Sequence, residues 1–141
     1  MAILFKQSAL IDFHKAIFTA LAPITTQTGI KVYDHVPESQ EKFPYIVVSD
    51  MTEQSWGDKT AEGSQITVNI NCYVKDKSSM SMKNIIDLVI KTLDGNITVI
   101  GWRFIYQELS DNMVSAVENS VYLGTVSCNY FLLKSEDEND Q

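Results

Sequence analysis

Few side chains in this 141-residue sequence stand at spacings that support chemistry. The two histidines are His14 and His35. His14 falls on the flank of a helical pattern with Asp12 two residues away, and residues two apart do not share a helix face. His35 follows Asp34 in a polar loop. A metal site takes three or four ligands at suitable spacing, and neither histidine has that company. Ser39-Gln-Glu-Lys42 matches an S-x-x-K pattern. That pattern needs its serine at a helix start, and here it lies in a loop between proline-containing segments. No Gly-rich phosphate loop, G-x-S-x-G elbow or H-E-x-x-H pair occurs. Asp50, Glu53 and Asp58 gather around one polar stretch, where carboxylates could serve acid–base chemistry or hold a cation. A hydrated loop is the plainer account of them. No catalytic residue, cofactor or metal ligand is assigned from the sequence. Trp56 in the same stretch is costly to leave in water, since burying such a ring is worth a few kcal/mol. It either folds back on its own domain or docks on a neighbour.

The charge balance narrows the partners. Eleven Lys and Arg face 18 Asp and Glu, a net charge of −7, and Arg103 is the one arginine. Nucleic-acid modules cluster their basic residues, whereas these lysines are scattered, so direct DNA recognition is not expected. The chain is about one domain long and apolar enough to build a core. We read residues 1–134 as one domain and 135–141, Ser-Glu-Asp-Glu-Asn-Asp-Gln, as an acidic, solvated tail. No apolar run approaches the ~20 residues of a membrane span. The opening Met1-Ala-Ile-Leu-Phe-Lys lacks a charged region and a cleavage site, so no signal peptide is expected. Cys72 and Cys128 lie in strand-like segments and are expected to be reduced core thiols. Without secretion, the Asn96-Ile97-Thr98 sequon carries no meaning.

The elements that position these residues follow from periodicity. Ser8 is a candidate N-cap for a helix whose stripe is Leu10, Phe13, Ile17 and Leu21, and Pro23 is expected to end or kink it near Ala22. A short strand runs from Ile30 to Tyr33. After a polar loop at 34–43, Tyr45-Ile46-Val47-Val48 reads as a strand buried on both faces or at a subunit interface. Residues 52–63 read as a mobile polar loop. Ile66, Val68, Ile70, Cys72 and Val74 then alternate with polar residues in the clearest strand of the chain. After a turn at 75–80, Ser81 is a candidate cap for a second helix with Ile85, Ile86, Val89, Ile90 and Leu93 as its stripe. Asp87 and Lys91 pair at i,i+4, and Asp94-Gly95-Asn96 stops that helix. Ile100, Trp102, Phe104 and Tyr106 alternate on one face of a further strand. Tyr122, Val126, Cys128, Tyr130 and Leu132 do so in another, with 110–119 as a short strand or loop between.

This order predicts an α+β fold: a mainly antiparallel sheet with two amphipathic helices on one face. Only the second helix is long enough to bridge parallel strands. The other face, with Asn69, Asn71, Tyr73, Arg103 and Asn129, is polar and spotted with aromatics, as suits a solvated or subunit-facing surface.

The ordered set of Val32-Tyr33-Asp34, Val36-Pro37, Pro44-Tyr45-Ile46, the stretch holding Trp56, Asp58 and Gly63, the long strand after it, and Gly101-Trp102-Arg103 resembles the tail-completion, or tail-terminator, proteins of long-tailed bacteriophages. The resemblance runs from the first helix to the last strand. It implies a structural virion protein at the head–tail interface, assembled in the host cytoplasm and without enzymatic activity. It further implies a homo-hexameric ring that caps the tail tube, contacts the tube protein and the head–tail connector or stopper, and lets genomic DNA pass without specific binding; no membrane partner is implied. Trp56, Asp58, Lys59, Thr60 and Tyr45 are its candidate contact residues. The competing readings are a neighbouring stopper or head-completion protein and, from another class, a small cytosolic α+β enzyme or ligand-binding domain.

Overall fold

A computed structural model describes residues 8–36, 43–57, 62–95, 97–118 and 120–135, except the side chains of Asp111 and Glu118. The elements are α1 (Leu10–Thr28), β1 (Lys31–Tyr33), β2 (Tyr45–Gly57), β3 (Glu62–Lys75), α2 (Met80–Leu93), β4 (Trp102–Glu118) and β5 (Val121–Lys134). They form one five-stranded sheet in the order β1-β2-β3-β5-β4. β1 runs parallel to β2, and the other three pairings are antiparallel. β3 and β4 both run antiparallel to β5, so they are parallel to each other, and α2 is the crossover between them. The directly hydrogen-bonded parallel pair, β1 with β2, is instead joined by residues 34–44, a connection we did not expect to link parallel strands.

Alternation along β5 sorts the two faces. Gly124, Val126, Cys128, Tyr130 and Leu132 are buried beneath both helices. α1 reaches this face through Phe13, whose ring lies 5.0 Å from that of Tyr130. α2 reaches it at Gly124, where an added Cβ would overlap Met82 and come within 2.7 Å of Ile86 Cδ1. The missing side chain is what lets α2 settle on the strand. Ile66, Val68, Ile70 and Cys72 are fully buried, which fixes the strand phase expected from the sequence. Trp102 joins them, while Leu10, Ile85 and Ile90 pack against the core from its rim.

Several expectations need correction. α1 passes through Pro23 to Thr28. Proline removes one hydrogen bond to the carbonyl four residues back. The last turns are nonetheless tied by Ile24, which is buried, by the Thr28 hydroxyl donating to Ile24 O (2.6 Å), and by Gly29 in the left-handed region at φ 81°. Residues 52–57 and 62–63 of the expected loop are strand instead: β2 continues to Gly57 and β3 begins at Glu62, and 58–61 lie outside the described residues. β4 likewise runs unbroken to Glu118, where a short strand or loop was read. Ile100 lies outside β4 in the preceding turn and is 82% exposed. Ile105 is the extra residue of a bulge, since Phe104 opposes Leu132 and Tyr106 opposes Phe131. A bulge reverses the side-chain phase. Tyr106 therefore points away from the helices while Phe104 points toward them. The helix caps also shift: Ala9 precedes α1 and Ser79 precedes α2, and neither contributes a side-chain capping bond. Ser81 instead donates to Asp76 within the turn before α2. Residues 37–42, with the S-x-x-K match, and the acidic tail from 136 onward lie outside the described residues.

Candidate functional site

The helix-free face of the sheet carries the candidate residues, and it is built in three parts. At one end Trp56, opposite Gly63 on β3, extends its ring across that strand. A Cβ at position 63 would overlap the Trp56 carbonyl and lie 2.9 Å from both the indole ring and Leu132 O. Glycine is therefore the residue that leaves room for the indole. Trp56 meets Phe131 edge-on at 5.2 Å, and Phe131 stacks on Tyr106 at 4.3 Å. Three rings from β2, β5 and β4 thus form a row, each contact contributing about 1 kcal/mol beyond burial. At the other end Tyr45 stacks on Tyr73 at 4.9 Å and touches Tyr33 and Phe43. Ten residues of β2 lie between Tyr45 and Trp56, which puts the two about 35 Å apart along the extended chain, so they do not share a site.

Between the clusters runs a ladder of neutral polar side chains bonded to one another. Gln54 donates to Gln65 (2.8 Å), Thr67 to Asn129 (2.6 Å), Ser127 to Asn69 (2.7 Å) and Thr125 to Asn71 (2.9 Å). Asn129 in turn donates to Glu108 at 3.1 Å. The expected polar face is thus a self-satisfied one. Arg103 sits exposed at the aromatic end of this face.

Trp56 is half-buried and Tyr45 buried, so both rings fold back on their own chain. Asp58, Lys59 and Thr60, the remaining candidates, lie outside the described residues. Of the three carboxylates expected to cluster, Glu53 is a structural one. It accepts hydrogen bonds from Ser8 Oγ (2.7 Å), Ala9 N (2.8 Å) and the fully buried Ser64 Oγ (2.5 Å). A carboxylate at a helix N-terminus satisfies orphan N–H groups and suits the helix dipole. Nothing local in the sequence signals it, because its partners lie 45, 44 and 11 residues away.

His35 Nδ1 sits 2.6 Å from Asp34, whose carboxyl is held below its usual range chiefly by that hydrogen bond. Exposed His14 on α1 lies against Phe18, with ring centroids 4.8 Å apart and the planes tilted by 45°. Among the described residues, no three His, Cys, Asp or Glu side chains converge as metal ligands would. Both cysteines are free and buried, and burial pushes the Cys72 thiol up to about 12 and that of Cys128 to about 11. They stand four residues out of register on neighbouring strands, Cys72 opposite Gly124 and Cys128 opposite Val68. No described helix is long and apolar enough to cross a membrane.

Half of the large exposed apolar side chains on the described surface lie along β4. Ile105, Tyr106, Leu109, Met113 and Val117 all belong to that strand, which ends the sheet on one side.

Comparison with known proteins adds the family. A chain in the virion of a native gene transfer agent particle superposes with a TM-score of 0.78 over 91% of this chain and 99% of that one, at 16% identity. That likeness speaks for the fold. Comparison with the curated proteins finds no match. The family model described as tail completion protein gp17 matches residues 15–119, from within α1 through β4. With that match over most of its length, the chain belongs to the tail completion protein gp17 family, a structural component of the virion tail.

Proposed function

We propose that this protein closes the tail tube as a ring, most simply a homo-hexamer, and presents the surface that joins tail to head. The family match carries the reading, and the edge of β4, unpaired among the described residues, supports it. An open edge strand offers unpaired N–H and C=O groups to a neighbour. A closed ring uses the same pair of surfaces at every subunit boundary. The tube protein and the connector or stopper are the axial partners. Genomic DNA passes through the lumen without specific binding, since an acidic wall does not grip a polyanion. The role requires no catalytic residue, cofactor or metal ligand. We place the axial contact at the sheet end that carries Trp56, together with Asp58, Lys59 and Thr60, which follow it in sequence. Tyr45 underlies the opposite end, where Tyr33 and Phe43 complete the cluster.

The test is complementation of particles lacking this chain. Loss should give unjoined heads and tails of uncontrolled length by electron microscopy, and resupply should restore joined particles. A particle map that places the chain away from the tail end, or at the head side of the connector with tail length unaffected, would transfer it to the stopper reading.

A further inference from the structure

We propose that the free edge of β4 is the subunit seam, and that its occupant is the β1 edge of a second copy of this chain; the proposal rests on the ring reading above. Protected edge strands are short, or carry lysine or proline, or are covered. β1 follows that rule: it has three residues and begins with exposed Lys31. β4 departs from it. It has 17 residues, WRFIYQELSDNMVSAVE, with no lysine and no proline. Bulges at Ile105, Ser110 and Val117 break its register with β5, but Asp111–Ala116 is an uninterrupted six-residue span between two of them. Bulges alone bend an edge away from chance partners. Here the span they leave is regular and apolar at Met113, which is 54% exposed.

The opposite edge of the sheet is complementary. Val36 is 53% exposed and Phe43 also stands open, so apolar surface flanks β1 as it lines β4. β4 carries exposed Glu108, whereas β1 offers exposed Lys31. The carboxylate nearest Lys31 in sequence, Asp34, is taken up by His35. Two β4 edges meeting each other would set acid against acid and leave the β1 side uncovered. β4 on β1 pairs unlike surfaces from opposite sides of one sheet, which is the head-to-tail contact a ring needs. The sheet then continues from subunit to subunit.

Single-cysteine additions test this on full-length protein assembled into particles. Val36→Cys and Met113→Cys are supplied separately and together, and the particles are treated with a short bismaleimide. Native Cys72 and Cys128 are buried with raised thiol pKa values, so they leave little background. The expected result is cross-linking between copies when both variants are present and none when either is alone. Met113→Lys should lower ring-bearing particles by about tenfold or more, with unchanged circular dichroism, and Met113→Leu should not. Self-cross-linking of Met113→Cys alone would overturn the proposal in favour of β4 on β4. So would a visible ring of this chain that fails to cross-link in the mixture, which would leave the ring standing and place its seam elsewhere, such as the groove of Leu10, Ile11 and Met51 beside α1. Averaged particle images without any ring would reject the ring reading itself, and the seam with it.

Discussion

Replacing Glu53 tests how α1 is held to the sheet. Its carboxylate accepts from Ser8 Oγ, Ala9 N and Ser64 Oγ. The three bonds are not equal. Ser8 is exposed, and its hydroxyl can turn to water when the carboxylate is lost. Ala9 N heads the helix, and losing such a cap costs about 1 kcal/mol. Ser64 is fully buried, and an orphaned buried hydroxyl costs about 1–3 kcal/mol. Glu53→Ala should therefore destabilise by about 2–4 kcal/mol, a fall in Tm of roughly 10 °C for a domain of this size. Glu53→Gln keeps an acceptor oxygen and should cost about 1 kcal/mol. The assay is urea unfolding at neutral pH, run as a double-mutant cycle with Ser64→Ala. Once the serine hydroxyl is gone there is no orphan, so Glu53→Ala should cost about 1 kcal/mol less in that background. A cost below about 0.5 kcal/mol, or strict additivity in the cycle, would refute the claim that this carboxylate fastens the helix.

The other expectations concern packing, the open face and pH. Ile70→Asp should abolish folding, because it buries an unpaired charge on the fully covered face, and a cooperative melt from the variant would contradict the core. Gly63→Ala should cost about 1–3 kcal/mol despite its conservative chemistry, since the new methyl meets backbone on two sides; quenching of Trp56 fluorescence relative to wild type would report the displaced ring, and an unchanged melt would refute the fit. Trp56→Ala should leave a folded monomer weakened by about 2 kcal/mol, roughly half the cost of a fully buried tryptophan, while cutting head–tail joining in complementation; full complementation would remove Trp56 from the contact. Asp76 is held below its usual carboxyl value, first by the Ser81 hydroxyl and then by Lys77 N–H. A depressed folded value stabilises above the ordinary range and is lost as pH falls through the lowered one. The melting difference between wild type and Asp76→Asn should thus be present at pH 7 and shrink below about pH 4; a gap that does not move with pH would exclude the linkage.

The order of elements was legible because most of them bury one face and leave the other wet. Ile66 to Val74 alternates cleanly, and each of its apolar residues is buried. The failures share a cause. At 52–57 the strand meets only the N-terminus of α1, and Glu53 and Ser55 on the helix side are as polar as Thr52 and Gln54 on the open side. Without a dry face there is no period to read, and the hairpin looked like a loop. In β4 the bulge at Ile105 switches the phase midway, so a strict two-residue period assigned Tyr106 to the wrong side. The carboxylate cluster was misjudged for a different reason. Asp50, Glu53 and Asp58 are neighbours in sequence, but Glu53 has its partners on α1 and β3. Long-range hydrogen bonds leave no local pattern. Pro23 was given its usual force as a helix breaker, which the buried Ile24 and the capped end beyond it override.

The two sheet surfaces left bare by the helices differ in what they need from a partner. On the open face, the Asn, Ser, Thr and Gln side chains satisfy one another, and the end rings stack within the chain. Such a surface is stable in water and is disturbed little when another surface slides or seats against it, because few of its polar groups must give up a bond to water. The β4 edge is the opposite case. Among the described residues its outer backbone groups have no partner strand, and Leu109 on the helix side and Met113 on the open side stand exposed along it. Burying them releases apolar surface and closes hydrogen bonds at once. A permanent seam between subunits therefore belongs at the edge, and any contact that must form late or be renewed along the axis belongs on the self-satisfied face and its aromatic ends.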